Sequence, residues 1–437
     1  MTGLTSFFDD ELHDLSRWVT IPPVDEAVEK ATRRLLLDTF ACAVGGFSRT
    51  PLGLLSSDGA GFRILGTDYS LGASETAYAL ALAACADEAC EGLAFAHGRP
   101  GLHSVAAGIG AALRTDANLG DLLDGIRAGF EFSGRMGALF RAKPGIHVDG
   151  SWGLVGAAVT ASRIYSGTSD HIVAAATAAL CQMPAGLYLP VTQGSDIRNT
   201  YSGHAAATGM LLAASTAMGM TVPSGAVEAA AGYAFALDEI AWTPSGRHLI
   251  LEGYLKPYPS VRHTHYGIQA ARSWHQDHSG ISAENIETCL LEIYPEAVTY
   301  CGNRAPTTPI MAQFSLTYTL AHTLIHGDLT PAAYSADALA NPEKQALEAL
   351  IEIKPVKALG LNGTRSAQLS ITTKEKAWST RVNRVPGDAS EPLSDDFLAN
   401  KVRVFCSERI ETQRIERLIG QLMTGSKQTP VREIFTV

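Results

Sequence analysis

Four short polar segments interrupt an otherwise apolar chain, and they hold the residues that could move protons or grip an acid. Cys90 to His103 (CEGLAFAHGRPGLH) carries Glu91, His97, Arg99 and His103. Lys143 to Trp152 (KPGIHVDGSW) centres on His147, and Gln193 to His204 (QGSDIRNTYSGH) supplies Arg198 and Tyr201. Lys256 to His265 (KPYPSVRHTH) adds Lys256, Arg262, His263 and His265. Imidazole titrates near neutrality and suits general acid or base work. Guanidinium and ammonium groups grip carboxylates. Each segment alone also has an ordinary reading, because loop histidines often cap or solvate and surface ion pairs contribute little. Four such loops, each entering or leaving a buried-type helix, can converge on one cleft.

Other chemistries find little support. Gly108-Ile109-Gly110 is half a dinucleotide fingerprint inside a helical pattern, and neither a phosphate loop nor a GxSxG elbow occurs. His263 and His265, two apart, could share a metal only on a strand, and no HExxH or acidic partner cluster accompanies them. Cys301 is a conceivable nucleophile with no identifiable base. Lys plus Arg number 34 against 44 for Asp plus Glu, so the formal charge is −10. Such a chain has no general attraction for nucleic acid or anionic membrane, and an anionic ligand needs a local cationic pocket. The seven cysteines form no CxxC pair, a pattern of reduced thiols in a cytoplasm. The N-terminal stretch has no apolar signal region. Ala205 to Val227 lacks charge, but its Thr, Ser, Gly and Pro223 read as a core helix rather than a membrane span.

The elements that must position these loops are mostly helical. Apolar residues make up 46% and charged residues 18%, with 41 glycines, which favours close helix packing. Helical periodicity marks Asp25 to Phe40, Glu75 to Cys90, Val105 to Arg114, Gly120 to Arg135, Trp152 to Tyr165, Ser169 to Cys181 and Ala205 to Gly219. After about Pro259 the pattern changes. Ile286 to Tyr294, Ala367 to Thr373 and Val402 to Phe405 read as strands; Phe314 to His326, Pro342 to Ile353 and Ser407 to Met423 read as helices. The predicted fold is mainly α: a large all-helical domain built from both chain ends, 1–258 and 400–437, plus a smaller α+β domain at 259–399 with an antiparallel sheet.

At the polar segments the sequence resembles the MmgE/PrpD family, which includes 2-methylcitrate dehydratase, cis-aconitate decarboxylase and iminodisuccinate epimerase. LLLDTFACAVGG (Leu35 to Gly46), CQMPAGL (Cys181 to Leu187), RNTYSGHAAATG (Arg198 to Gly209), KPYPSVRHTH and GNRAPTTPIMAQFS (Gly302 to Ser315) resemble family segments in the family's order. The resemblance implies a helical domain with an inserted α+β lid, a homodimer, and no metal or organic cofactor. It also implies proton removal from a carbon beside a carboxylate, then loss of water, loss of CO2 or reprotonation.

Such a reaction builds charge on a carboxylate, so cations must be aimed at it while a base takes the proton and an acid assists the leaving group. Carried over by resemblance, His103 and His147 form the acid/base pair, with Lys256 and Tyr201 completing the catalytic set. Arg198, Glu91, His97, Arg262, Cys301 and Tyr300 hold the substrate. At the position after KPYP-S, where the family carries histidine or cysteine, Val261 cannot transfer a proton, which counts against an orthodox cis-aconitate decarboxylase and also against a standard 2-methylcitrate dehydratase. The expected function is a cofactor-independent, dehydratase-type lyase on a small di- or tricarboxylate-like acid. Epimerase or double-bond isomerase activity is the alternative, and a decarboxylase or a non-catalytic binding member ranks after it.

Overall fold

The computed structural model describes residues 5–437 apart from 24, 57–60, 239–241, 279–282 and 364. Its larger core is helical. α1 (Thr5–Thr20), α2 (Glu26–Gly46), α3 (Ala73–Cys85), α4 (Pro100–Thr115), α5 (Leu119–Leu139), α6 (Gly153–Tyr165), α7 (Ser169–Cys181) and α8 (Thr200–Ala217) pack on one another, with α6 in the middle against α4, α5, α7 and α8. Local chemistry sets several starts. The Asp25 carboxylate accepts from the Ala27 N–H at the head of α2, and Asn118 with Asp121 forms a capping box on α5. The abundant small residues permit close approach: a Cβ on Gly46 would lie 1.9 Å from the Ala83 carbonyl oxygen. Two C-terminal helices, α12 (Asp395–Cys406) and α13 (Thr412–Thr424), return to pack on α2, with Leu398, Val402, Ile415 and Leu418 in the same core.

Between these lies a second core built on a four-stranded sheet. β1 (Ile286–Ile293), β2 (Ile351–Pro355), β3 (Ala367–Thr373) and β4 (Ala377–Val382) run in the order β4-β3-β1-β2. β4/β3 and β3/β1 are antiparallel, with Leu291 opposite Leu369, while β1/β2 is parallel. Helix α9 (His265–Asp277) packs on β3, β4 and α10 (Leu316–His326), and α11 (Pro342–Leu350) packs on α10. The fold class is therefore mainly α with a smaller α+β part.

Four details differ from the sequence reading. The helix expected to reach Cys90 stops at Cys85, and Glu88 sits in left-handed backbone (φ 53°), which no helix continues through. The strand expected at Val402 to Phe405 is part of α12, since Leu398, Val402, Phe405 and Cys406 recur at helical spacing and face the core. The helix predicted to end at Ile353 ends at Leu350, and Ile351 begins β2, so the sheet is mixed rather than antiparallel. Helix α9 and strand β4 are additions that the patterning does not announce. The Ala205 to Val227 segment forms most of the core helix α8 and the turn beyond it; among the described residues no helix is long and apolar enough to cross a membrane.

Candidate active site

A cavity of about 900 Å³ opens between the helical core and the α+β part, lined by residues from all four polar segments. Its floor is a buried ion network that begins in the short loop after α3. Lys256 Nζ donates to both Glu88 Oε1 and the Glu88 carbonyl, each at 2.8 Å. Arg198 donates to Glu88 Oε2 at 2.9 and 2.5 Å and reaches Asp149 Oδ2 at 3.3 Å. Arg99 clasps Asp149 through Nε at 3.3 Å and a closer Nη2 contact, and its Nη1 lies 3.6 Å from Glu88. Three cations face two carboxylates, so these five side chains together carry one net positive charge. Among the described residues, Arg99 Nη1 and Arg198 Nε have no hydrogen-bond partner although both are buried.

The network shifts its own titrations. Burial pushes Glu88 up, but Arg99, Lys256 and Arg198 outweigh it and hold the carboxyl at about 2. Asp149, opposed by burial but facing Arg99, His147 and Arg198, is held well below the usual carboxylate range. Burial lowers the Lys256 ammonium, with Glu88 opposing the change. Cys85, Glu88 and Asp149 bring ligand atoms within 4.8 Å of one another. Three buried cations already occupy those oxygens, so a divalent ion there would meet like charge rather than a vacant ligand set.

The histidines divide by role. His147 lines the cavity, and its Nδ1 accepts from the Asp149 N–H at 3.0 Å. In the neutral ring the proton therefore sits on Nε2, and burial lowers the pKa to about 4, so the ring is neutral at pH 7. His97, on the loop before α4, also lines the cavity but is exposed to solvent; no described protein group hydrogen-bonds its ring, and partial desolvation, with Arg141 nearby, lowers its pKa. His103 does not reach the cavity. Its Nδ1 bonds the Arg99 carbonyl at 3.1 Å, its Nε2 accepts from the Gly150 N–H at 3.2 Å, and burial lowers it to about 4. The ring packs against Gly153, where a Cβ would lie 2.4 Å from Nδ1. His103 thus ties the Arg99 loop to the Asp149 loop, a positioning task that uses both ring nitrogens.

Other expected site residues are distributed unevenly. Lys256, Arg198, His97, His147, Arg262 and Tyr300 all line the cavity. Arg262 is engaged by Asp388 and by His265 Nδ1 at 3.1 Å and lies over the Tyr254 ring, which commits its charge locally. Glu91 faces a different pocket of about 480 Å³ and caps α4, accepting from the Gly101 and Leu102 N–H groups at 3.0 and 2.8 Å. Burial raises its pKa to about 7. Tyr201 lines a separate pocket of about 300 Å³ behind His147 and donates to the Leu187 carbonyl at 3.2 Å. Cys301 is buried away from the cavity, and burial pushes its thiol far up, which leaves no thiolate for attack. Sequence reasoning missed Glu88 and Asp149 and left Arg99 without a role. The available signal was the polar pair Asp87-Glu88 directly after an Ala-rich helix.

Residues 13–240 match the MmgE/PrpD N-terminal domain model and residues 258–423 match the MmgE/PrpD C-terminal domain model. The chain belongs to the MmgE/PrpD family. This is a dehydratase- or lyase-type enzyme family, and both halves of the match contribute walls to the cavity. No curated protein matches the chain closely.

Proposed function

We propose that this MmgE/PrpD member is a dehydratase-type lyase that removes a proton beside a carboxylate of a small hydroxy acid carrying two or more carboxylates. The observation that carries this reading is the net positive charge of the buried Arg99, Arg198, Lys256, Glu88 and Asp149 group, in one cavity with the neutral His97 and His147. A substrate carboxylate neutralises that charge through Arg99, Arg198 and Lys256, and the same cations stabilise the dianion that forms when the neighbouring carbon loses its proton. His97, neutral and with an unengaged ring, is the base, in place of His103. His147 offers Nε2–H as a neutral donor to the developing oxyanion, since a ring whose pKa is about 4 does not carry a proton to spare at pH 7. The Lys256 ammonium, its pKa lowered by burial, gives a proton to the departing hydroxyl, so the C–H and C–O bonds break with loss of water.

Proton NMR in D2O with a panel of hydroxy di- and tricarboxylic acids tests this. Deuterium uptake beside a carboxylate, an alkene product, and loss of both in His97→Gln support the assignment. Deuterated starting acid of inverted configuration would replace lyase by epimerase, and no exchange with any acid would refute the reading.

A further inference from the structure

Besides the floor, Arg141, Lys143, Arg262, Arg365 and Glu296 line the cavity, but one stretch of it is apolar. Away from the charged floor, one wall is formed by Val261, Phe314, Tyr188 and Tyr300, none of which carries charge. Val261 and Tyr188 pack against a small apolar cluster of Val191, Ile310 and Phe314 that bridges the helical core and the α+β part. The rings continue across that seam: Tyr188 stacks on His147 at 5.5 Å, Tyr300 meets Tyr188 edge-on at 5.9 Å, and Tyr300 stacks on His263 at 5.7 Å. Phe314 lies beneath the Arg198 guanidinium at 5.4 Å, so the apolar wall begins where the anion-binding floor ends.

We infer that the substrate carries a hydrocarbon arm, longer than a methyl group, which lies along the Val261, Phe314, Tyr188 and Tyr300 wall while its carboxylate sits on the Arg198 floor. The inference rests on the carboxylate reading above. A cavity of about 900 Å³ is near the top of the roughly 300–1,000 Å³ range that encloses drug-sized ligands. A small polyacid would leave much of it empty. An acid bearing carboxylates on every side would turn one toward the side chains of Val261, Tyr188 and Tyr300, which carry no charge to meet it. An alkyl or aryl arm gains from the same surface, and the exposed Tyr300 ring (44%) loses water when the arm covers it.

The probes are succinate and its 2-methyl, 2-butyl, 2-hexyl and 2-benzyl derivatives, with Kd from titration calorimetry and α-deuterium exchange measured by NMR. Each methylene along the wall is expected to tighten binding about fourfold, or roughly sixtyfold from methyl to butyl. Tyr300→Ala should flatten that slope. Arg198→Met should weaken every acid in proportion and keep the slope. A wild-type series that is flat, with succinate binding and exchanging as well as butylsuccinate, overturns the inference and leaves the carboxylate reading standing. Failure of every acid to bind or exchange overturns both, and succinate alone tells the two failures apart.

Discussion

Replacing Lys256 by Met tests the floor most directly. In the folded protein Lys256 Nζ makes two hydrogen bonds to Glu88, one to the carboxylate and one to the carbonyl, and is almost completely buried. Glu88 keeps Arg198 and Arg99, so the loss is that of a charge-assisted bond rather than a fully orphaned ion, about 2–3 kcal/mol of stability. The floor also falls from one net positive charge to none. For an anion roughly 6 Å away at an effective dielectric near 20, that charge is worth about 3 kcal/mol, a hundredfold in affinity. The double variant Lys256→Met/Glu88→Gln leaves Arg99 and Arg198 against Asp149 alone and restores the single positive charge. Urea unfolding and calorimetric titration with succinate should therefore show a destabilised, weakly binding Lys256→Met. The double variant should recover most of the stability and bind within about tenfold of wild type, yet remain inactive because the proton donor is gone. If Lys256→Met binds succinate as tightly as wild type, or the double variant binds no better than the single, the floor is not the anion site.

Three further outcomes are expected. His97→Gln should slow α-deuterium exchange by about 10²–10⁴, whereas His103→Gln should chiefly lower the unfolding free energy from urea titration, by about 1–3 kcal/mol for two lost bonds to the backbone; a larger exchange defect in His103→Gln would reverse the two assignments. Acid should unfold the protein early. His103 and His147 at about 4 and His263 and His322 at about 3 are depressed from 6.5, so below pH 6.5 the unfolded chain takes up protons that the fold refuses. Stability then falls by up to about 1.4 kcal/mol per pH unit per ring, while the Glu88 contribution is lost only from about 4.5 down through about 2; a urea midpoint unchanged from pH 7.5 to 5 would refute this. Gly153→Ala should displace His103, since the added methyl falls within 2.4–2.6 Å of its ring, and circular-dichroism melts should show a loss comparable to or larger than that of His103→Gln.

Much of the fold was legible because its helices are long, periodic and rich in small residues. α2, α5, α6 and α7 could be placed from patterning alone, as could β1 and β3 from alternation. The misses share a cause. Val402 to Phe405 is locally β-branched and apolar, and only the Ser394 cap, with Asp395 and Asp396 in the first turn, marks it as the end of a helix. β2 continues from α11 without a break, its start set by parallel pairing to β1, a contact about 60 residues away that no local window sees.

The site was half legible for a more specific reason. Cations and histidines are conspicuous in an acidic chain, and Lys256, Arg198, Arg262, His97 and His147 on the cavity were named, although Arg99, Arg141, Lys143, His263 and Arg365 were not assigned to it; the carboxylates that hold the floor, Glu88 and Asp149, are lost among 44 acidic residues. Yet without them the floor would hold three buried like charges, so they determine both its net charge and its geometry. The proposed choice of His97 over His103 as base rests on where the helix begins. Pro100 opens α4, and Glu91 caps it by taking two of its first N–H groups. The residues just before Pro100 form a loop that faces the cavity and carries His97. His103 lies within the helix, on the inner side of its first turn, and points toward Gly153 and the backbone of Gly150. The proline marks the helix start in the sequence itself, and it separates a cavity-lining histidine whose ring no described protein group hydrogen-bonds from one whose two nitrogens are already engaged.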